Sequence, residues 1–374
     1  MASATKRRQE DVVIDGVLDV DQAREVIPFS YAITAYGADP QADGLIKRMK
    51  EGDIFIPLFS LPESEAAGAP RFQREYVWKK QQADRFIESL LLGLPVPGIF
   101  LVKEESGRHL VLDGHQRLQS LLRFYTNDWE GGAFVLEEVQ ERFKNRGYEQ
   151  LEPTDRRRLD DSIIHATIVR QDEPSQDLSS IYLVFERLNS GGTSLQPQEI
   201  RVALYHGQFV TLLTELNNHA SWRALFGKRS KRLKDIELIL RFLALLESGG
   251  TYSRPMKGFL NSYMGRRRNP PSATQARFRE IFESTTDAIL HGLGRKAFKP
   301  KNAVNAALAD ALMVGVARRT RKERATVDRE ELQAAYKRLL AHGEFQDAIS
   351  RATADEENVK KRLAIATSII AGDK

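Results

Sequence analysis

The stretch "VLDGHQRLQSLLRFY", residues 111–125, sets the reading of the first half of the chain. It opens apolar, meets an acid and a glycine, and closes with Leu118, Leu121, Leu122 and Tyr125 spaced on one helical face. The pattern predicts a strand that stops at Asp113, turns at Gly114 and continues as a helix. Such a junction presents unpaired backbone N–H groups at the positive end of a helix dipole, which together favour an anion. The side chains suit the same ligand. Gly114 permits positive φ or close approach. Arg117 offers a two-pronged phosphate contact. Asp113 can hold Mg2+ or cap the helix. His115 can donate to phosphate or move a proton, and Gln116 can orient a water or a polar ligand group. The purely structural alternative has Asp113 as cap, Gly114 as turn and Arg117 paired with a surface acid. No GxxxxGK[ST] sequence is present, so this is not a Walker loop.

Outward from that stretch, "GIFLVKE" (98–104) and "HLVLD" (109–113) flank "ESGR" and predict a hairpin. "GDIFIPLF" (52–59) predicts a short edge strand, and "SLPESEAAGAP" (60–70) a loop. In "KQQADRFIESLLLG" the residues Ala83, Phe86, Ile87, Leu90 and Leu91 share a helix face that ends at Gly93. "IIHATIVR" (163–170) predicts a strand, and "LSSIYLVFERLNSGG" (178–192) a helix ending near Asn189. Pro197 and Glu199 mark the next helix start. From about 205 onward the patterns are helical. The expected fold class is α+β, with a small mixed sheet, followed by an all-α domain. The expected organisation is a polar arm at 1–24, a mixed domain at 25–204 and a helical domain at 205–374.

The chain has 374 residues and 41% hydrophobic content, enough for a sizeable core. It has no cysteine, which excludes disulfides and cysteine-ligated metals. The opening "MASATKRRQEDVVIDG" is no secretory signal, and the apolar run "AVNAALADALMVGVA" (303–317) is too short for a membrane span and is interrupted by Asp310. A cytoplasmic protein without a membrane partner is expected. Lys and Arg total 56 against 51 Asp and Glu, a formal charge of +5. The excess is clustered at 156–158, 228–234, 266–268 and 318–324. Such clusters are either solvated helix faces or, if they converge, a nucleic-acid surface. Lys231, Arg232, Arg266 and Arg267 are the candidates for DNA contact. "RFQREYVWKK" (71–80) interleaves Arg71, Arg74, Lys79 and Lys80 with Phe72, Tyr76 and Trp78, a composition that suits either base stacking or a core edge.

Four stretches, "FQREYVW", "RFIESLLLGLPVPGIFL", "LVLDGHQRLQSLLRFY" and "FERLNSGGTSLQPQEIR", occur in this order. Together they resemble the N-terminal domain family of GmrSD-type restriction endonucleases, known for its DGQQR motif. The resemblance implies a ParB/sulfiredoxin-like fold, nucleotide binding and NTP hydrolysis at the motif, and a role in defence against modified phage DNA. By motif match it places nucleotide-site roles on Asp113, Gly114, Gln116 and Arg117. It also implies that Gln73, Arg74, Arg187 and Asn189 line the same pocket. The expected cofactors are an NTP and Mg2+, the metal at Asp113, with Asp113, His115 and Gln116 as the catalytic candidates. His115 stands where the family usually has Gln, and that difference bears on hydrolysis more than on binding. Tyr36 and Gly37, in "ITAYGADPQADGLIKRM" (33–49), match a family element that contributes to sensing DNA modification; by composition alone the segment is a turn before a helix near Pro40. Many family members carry or pair with a His–Asn–His nuclease domain. No such signature is present among the scattered His206, His219, His291 and His342, so a separate nuclease partner is expected, and a second copy of the chain is a further candidate partner.

Three functional readings fit these residues. The first is an NTP-binding and NTP-hydrolysing regulatory protein of an anti-phage restriction system. The second is a non-enzymatic, ParB-like DNA-binding protein switched by nucleotide. The third is a metal-dependent DNA nuclease.

Overall fold

The computed structural model describes residues 13–14, 16–18, 33–56, 76–172, 178–188, 195–248, 250–323 and 328–372. In chain order the first elements are β1 (Val13–Ile14), β2 (Val17–Leu18), β3 (Ile33–Ala38), α1 (Ala42–Lys50), β4 (Ile54–Phe55) and α2 (Lys80–Leu91). Then come β5 (Ile99–Lys103), β6 (His109–Asp113), α3 (His115–Thr126), α4 (Pro153–Asp160), β7 (Ala166–Gln171) and α5 (Ser179–Leu188). The rest is helical apart from one short strand: α6 (Pro197–Leu204), α7 (Gln208–Leu216), α8 (Ala220–Phe226), α9 (Lys234–Glu247), α10 (Met256–Arg266), α11 (Ser272–Leu293), β8 (Val304–Asn305), α12 (Ala306–Glu323), α13 (Arg329–Ala341), α14 (Gly343–Ser350) and α15 (Glu356–Ala366). The chain divides into two compact units, residues 29–194 and residues 1–28 with 195–374.

The 29–194 unit is built on a mixed five-stranded sheet of order β3-β7-β5-β6-β4. β5 and β6 form the expected hairpin, antiparallel, while β7 runs parallel to β5 and β4 parallel to β6. Ile99 and Leu101, Val111, and Ala166 and Ile168 belong to a core shared with Leu45 and Ile46 of α1, Ala83, Phe86 and Ile87 of α2, and Leu118 and Leu121 of α3. The opposite parity of the central strands, Val102, Leu110, Leu112 and Val169, is also buried, and α5 lies against β7. A sheet buried on both faces explains why these strands read as continuous apolar runs.

β3 is a strand that sequence pattern alone did not predict. It pairs antiparallel with β7 from Ile33↔Gln171 to Ala38↔Ala166. Its side chains are exposed or only half-buried along its length, so no alternation marks it. β1 and β2 likewise go beyond the expected polar arm: β1 pairs with β2, and β2 runs parallel to β8, a strand within the stretch that sequence reads as wholly helical.

In the second unit α12 is the central helix, buried almost all round and packed against α9, α11 and α15. Asp310 is its buried acid. Its carboxylate accepts from Arg241 of α9 at 3.2 and 2.6 Å and from Arg362 of α15 at 3.0 Å. A second buried network joins Arg201 of α6 to Asn261 at 2.9 Å and Glu237 at 3.1 Å, with Lys234 on the same carboxylate at 2.9 Å. Among the described residues no helix is long and apolar enough to cross a membrane.

Candidate functional site

Strand register gathers four loop positions at one end of the sheet. Ala38 and Ile99 both face Ala166, and Phe100 faces Asp113. One step further along each chain lie Asp39, His165, Gly98 and Gly114, in that order across neighbouring strands about 4.8 Å apart. The β5–β6 register shifts between Phe100 and Leu101, whose partners are Asp113 and Val111, so Leu112 is an extra residue. A bulge at this position twists the strand and re-aims the residues beyond it. Those residues are the Asp113–Arg117 motif.

Gly114 is the N-cap of α3, with φ 91° and ψ 11°, and no side chain caps the helix. A Cβ here would come within 3.0 Å of Ile99 Cβ and 3.1 Å of Arg117 Nη2. Both the left-handed backbone and the lack of space therefore require glycine. Asp113 does not cap the helix. Its Oδ2 instead accepts from Arg117 Nη2 at 3.0 Å, and the same Nη2 donates to the Gly98 carbonyl at 2.8 Å. Arg117 Nε is buried with no hydrogen-bond partner among the described residues, whereas the Asp113 side chain is 47% exposed. The motif is thus partly self-paired, and its acid faces solvent.

Gln116 is nearly buried, and its Oε1 accepts from the backbone N–H groups of Val77 at 3.0 Å and Trp78 at 3.2 Å. Its Nε2 lies 2.9 Å from His115 Nε2. This side chain tethers the segment just after the "FQR" element to α3. Tyr76 is drawn in by the same tether. Its hydroxyl lies 2.7 Å from Ser120 Oγ, Arg123 sits 4.1 Å from its ring centroid, and burial pushes its pKa up against the lowering effect of the Ser120 bond. Tyr76 meets Trp129 edge-on at 5.4 Å, and Trp78 meets Phe86 at 5.8 Å. Of the two readings of this aromatic and cationic stretch, the described part is core edge.

Gln73, Arg74 and Asn189 lie outside the described residues. Arg187 is exposed near the end of α5. Tyr36 is exposed on β3, and Gly37 leaves room for an imidazole: a Cβ there would meet His165 Cε1 at 3.0 Å. Lys231, Arg232, Arg266 and Arg267 belong to the other compact unit. Lys231 and Arg266 are exposed, whereas Arg232 pairs with Glu199 at 3.2 Å and Arg267 with Glu247 at 3.1 Å. Nearby cations of the same clusters are used internally: Lys234 is buried on Glu237, and Arg268 donates to the His206 carbonyl at 2.8 Å.

Sequence reasoning missed Asp39 and His165. His165 Nδ1 lies 2.8 Å from Asp39 Oδ1, and both side chains are exposed at the sheet end that carries Gly114. With Nδ1–H donated to Asp39, a neutral ring leaves Nε2 as an acceptor. The pair was hidden because its members are far apart in sequence and β3 carries no pattern. Gly98 completes the arrangement, since a Cβ there would lie 2.7 Å from the His165 carbonyl oxygen. Among the described residues no three His, Asp or Glu side chains gather as a metal site. The exposed carboxylate of Asp113 is the group that would hold a Mg2+ there.

A mixed sheet whose hairpin strand runs through a glycine into a helix N-terminus, with Arg and Asp on the junction, makes this an α+β domain with its motif at a strand–helix junction. Residues 57–206 match the family described as the GmrSD restriction endonuclease, N-terminal domain. The match runs from the segment after β4, through the motif, to the end of α6. No curated protein and no solved structure matches the chain.

Proposed function

We propose that this protein is an NTP-binding and NTP-hydrolysing regulatory component of a DNA restriction system that acts in the cytoplasm on foreign, modified DNA. The observation that carries the reading is the sheet end itself, where the α3 N-terminus, Arg117, Asp113 and the His165–Asp39 pair converge. Phosphates seat at the α3 N-terminus, and Arg117 turns from Asp113 to a phosphate oxygen; Asp113 would then hold the Mg2+ that neutralises phosphate charge. His165, oriented by Asp39, takes the proton of the water that attacks the terminal phosphorus, whose bond to the bridging oxygen breaks to release the nucleoside diphosphate. The family's ParB/sulfiredoxin-like fold type, and DNA as the partner whose state the nucleotide reports, belong to this same reading. The family match of residues 57–206 supports both.

The closed Asp113–Arg117 pair also favours a second reading, in which nucleotide opens the pair as a switch without turnover. One experiment separates the two. Purified protein is given each NTP with Mg2+, with and without duplex DNA, and phosphate release is followed beside nucleotide binding. Release that falls at least about tenfold in His165→Ala, with binding kept, is the expected result. Tight binding without release establishes the switch, and absence of both refutes the site.

A further inference from the structure

A second candidate binding site lies in the other compact unit. A pocket between α9, α11 and α12 is lined by Glu247, Arg267, Arg277 and Arg321, with Phe278 and Ile281 among its apolar walls. The Glu247 carboxylate is fully engaged. Its Oε2 accepts from the Tyr263 hydroxyl at 2.9 Å and from Arg267 Nε and Nη2 at 3.2 and 3.1 Å, and its Oε1 accepts from Arg277 Nη2. Burial works against the Arg267 charge, but Glu247 outweighs it and holds the guanidinium pKa above its ordinary value. Arg321 is exposed and has no ion-pair partner among the described residues. Three guanidinium groups thus share one pocket with a single carboxylate.

That carboxylate acts as a splint. It fixes two planar forks in place, which reduces the ordering cost an incoming anion must meet. It neutralises only one of the three charges. We propose that this pocket binds a phosphate group through Arg267, Arg277 and Arg321. The inference is independent of the nucleotide site, since every residue it uses belongs to the other compact unit. The phosphate comes either from the DNA backbone or from a small phosphorylated molecule.

The test is calorimetric titration of the full chain with inorganic phosphate, in an Arg117→Ala background so that the α3 loop does not contribute. Arg321→Gln, which removes no internal ion pair among the described residues, and Arg277→Gln are each expected to weaken phosphate binding about tenfold, the loss of one charge-assisted contact. Glu247→Gln keeps an acceptor oxygen for the forks but removes the one negative charge of the pocket, and is expected to strengthen binding several-fold. Arginines present only to neutralise Glu247 would give no such opposed pair of effects. Equal phosphate affinity in the Arg117→Ala parent and in its Arg321→Gln and Arg277→Gln derivatives overturns the proposal. A second arm uses labelled duplex DNA at about 50 mM salt. Weakened DNA binding in the same variants assigns the phosphate to DNA; weakened phosphate binding with DNA binding unchanged assigns it to a small molecule.

Discussion

Arg117 and Asp113, one turn apart across the start of α3, are bonded to each other at 3.0 Å, and the same guanidinium nitrogen holds the Gly98 carbonyl at 2.8 Å. The pair links the end of β6 to the segment before β5, so the charged residues of the motif also close the loop that carries them. A phosphate at this loop, as proposed, would compete with Asp113 for Arg117 and free an exposed carboxylate.

Arg117→Ala is therefore expected to abolish NTP binding and also to lower stability by about 1–3 kcal/mol, since Gly98 and Asp113 both lose a charged donor. Nucleotide titration by fluorescence, run beside a denaturant melt, reads the two effects separately. A folded variant that binds nucleotide as wild type does removes the motif from consideration as the site.

His115→Gln restores the DGQQR form. Binding is expected to persist and phosphate release to rise, because the neighbouring Gln116 amide keeps its contacts with Val77 and Trp78. Measured turnover in the two proteins at saturating NTP decides it. Loss of binding in the variant would give His115 a role of its own.

Gly114→Ala should destabilise the 29–194 unit by more than the 1–3 kcal/mol or so typical of a strained backbone position, because the new Cβ also meets Ile99 and Arg117. A melt of the variant that matches wild type would show that the junction relaxes freely, and a preformed anion loop would no longer be tenable.

Acid should unfold the helical unit through Glu237. Burial alone would raise the pKa of this carboxyl, but Lys234 and then Arg201 outweigh burial and lower it to about 2. A depressed folded-state pKa stabilises above the unfolded value of 4.5, and that stability disappears as pH falls toward 2. Denaturant melts at about pH 6 and about pH 3 should show this loss. Glu237→Gln should cost about 3–5 kcal/mol at neutral pH by stranding Arg201 and Lys234, and should flatten the acid limb.

The local parts of this protein were legible in its sequence. The β5–β6 hairpin, the turn at Gly114, and helices α2 and α3 all appear in the apolar spacing and glycine positions, because each is decided by residues a few positions apart. The match of residues 57–206 was legible too, since four ordered motifs carry the same resemblance. Only tertiary structure decided where the charges went. Asp310 became a clamp for Arg241 and Arg362, and Glu247 gathered arginines from two different segments. Asp39 and His165 became neighbours only because β3 pairs with β7. Periodicity reports which face of an element is buried. It carries no information on which distant strand will complete the sheet, or which of several acids an arginine will reach, since both depend on register and packing fixed by the whole fold.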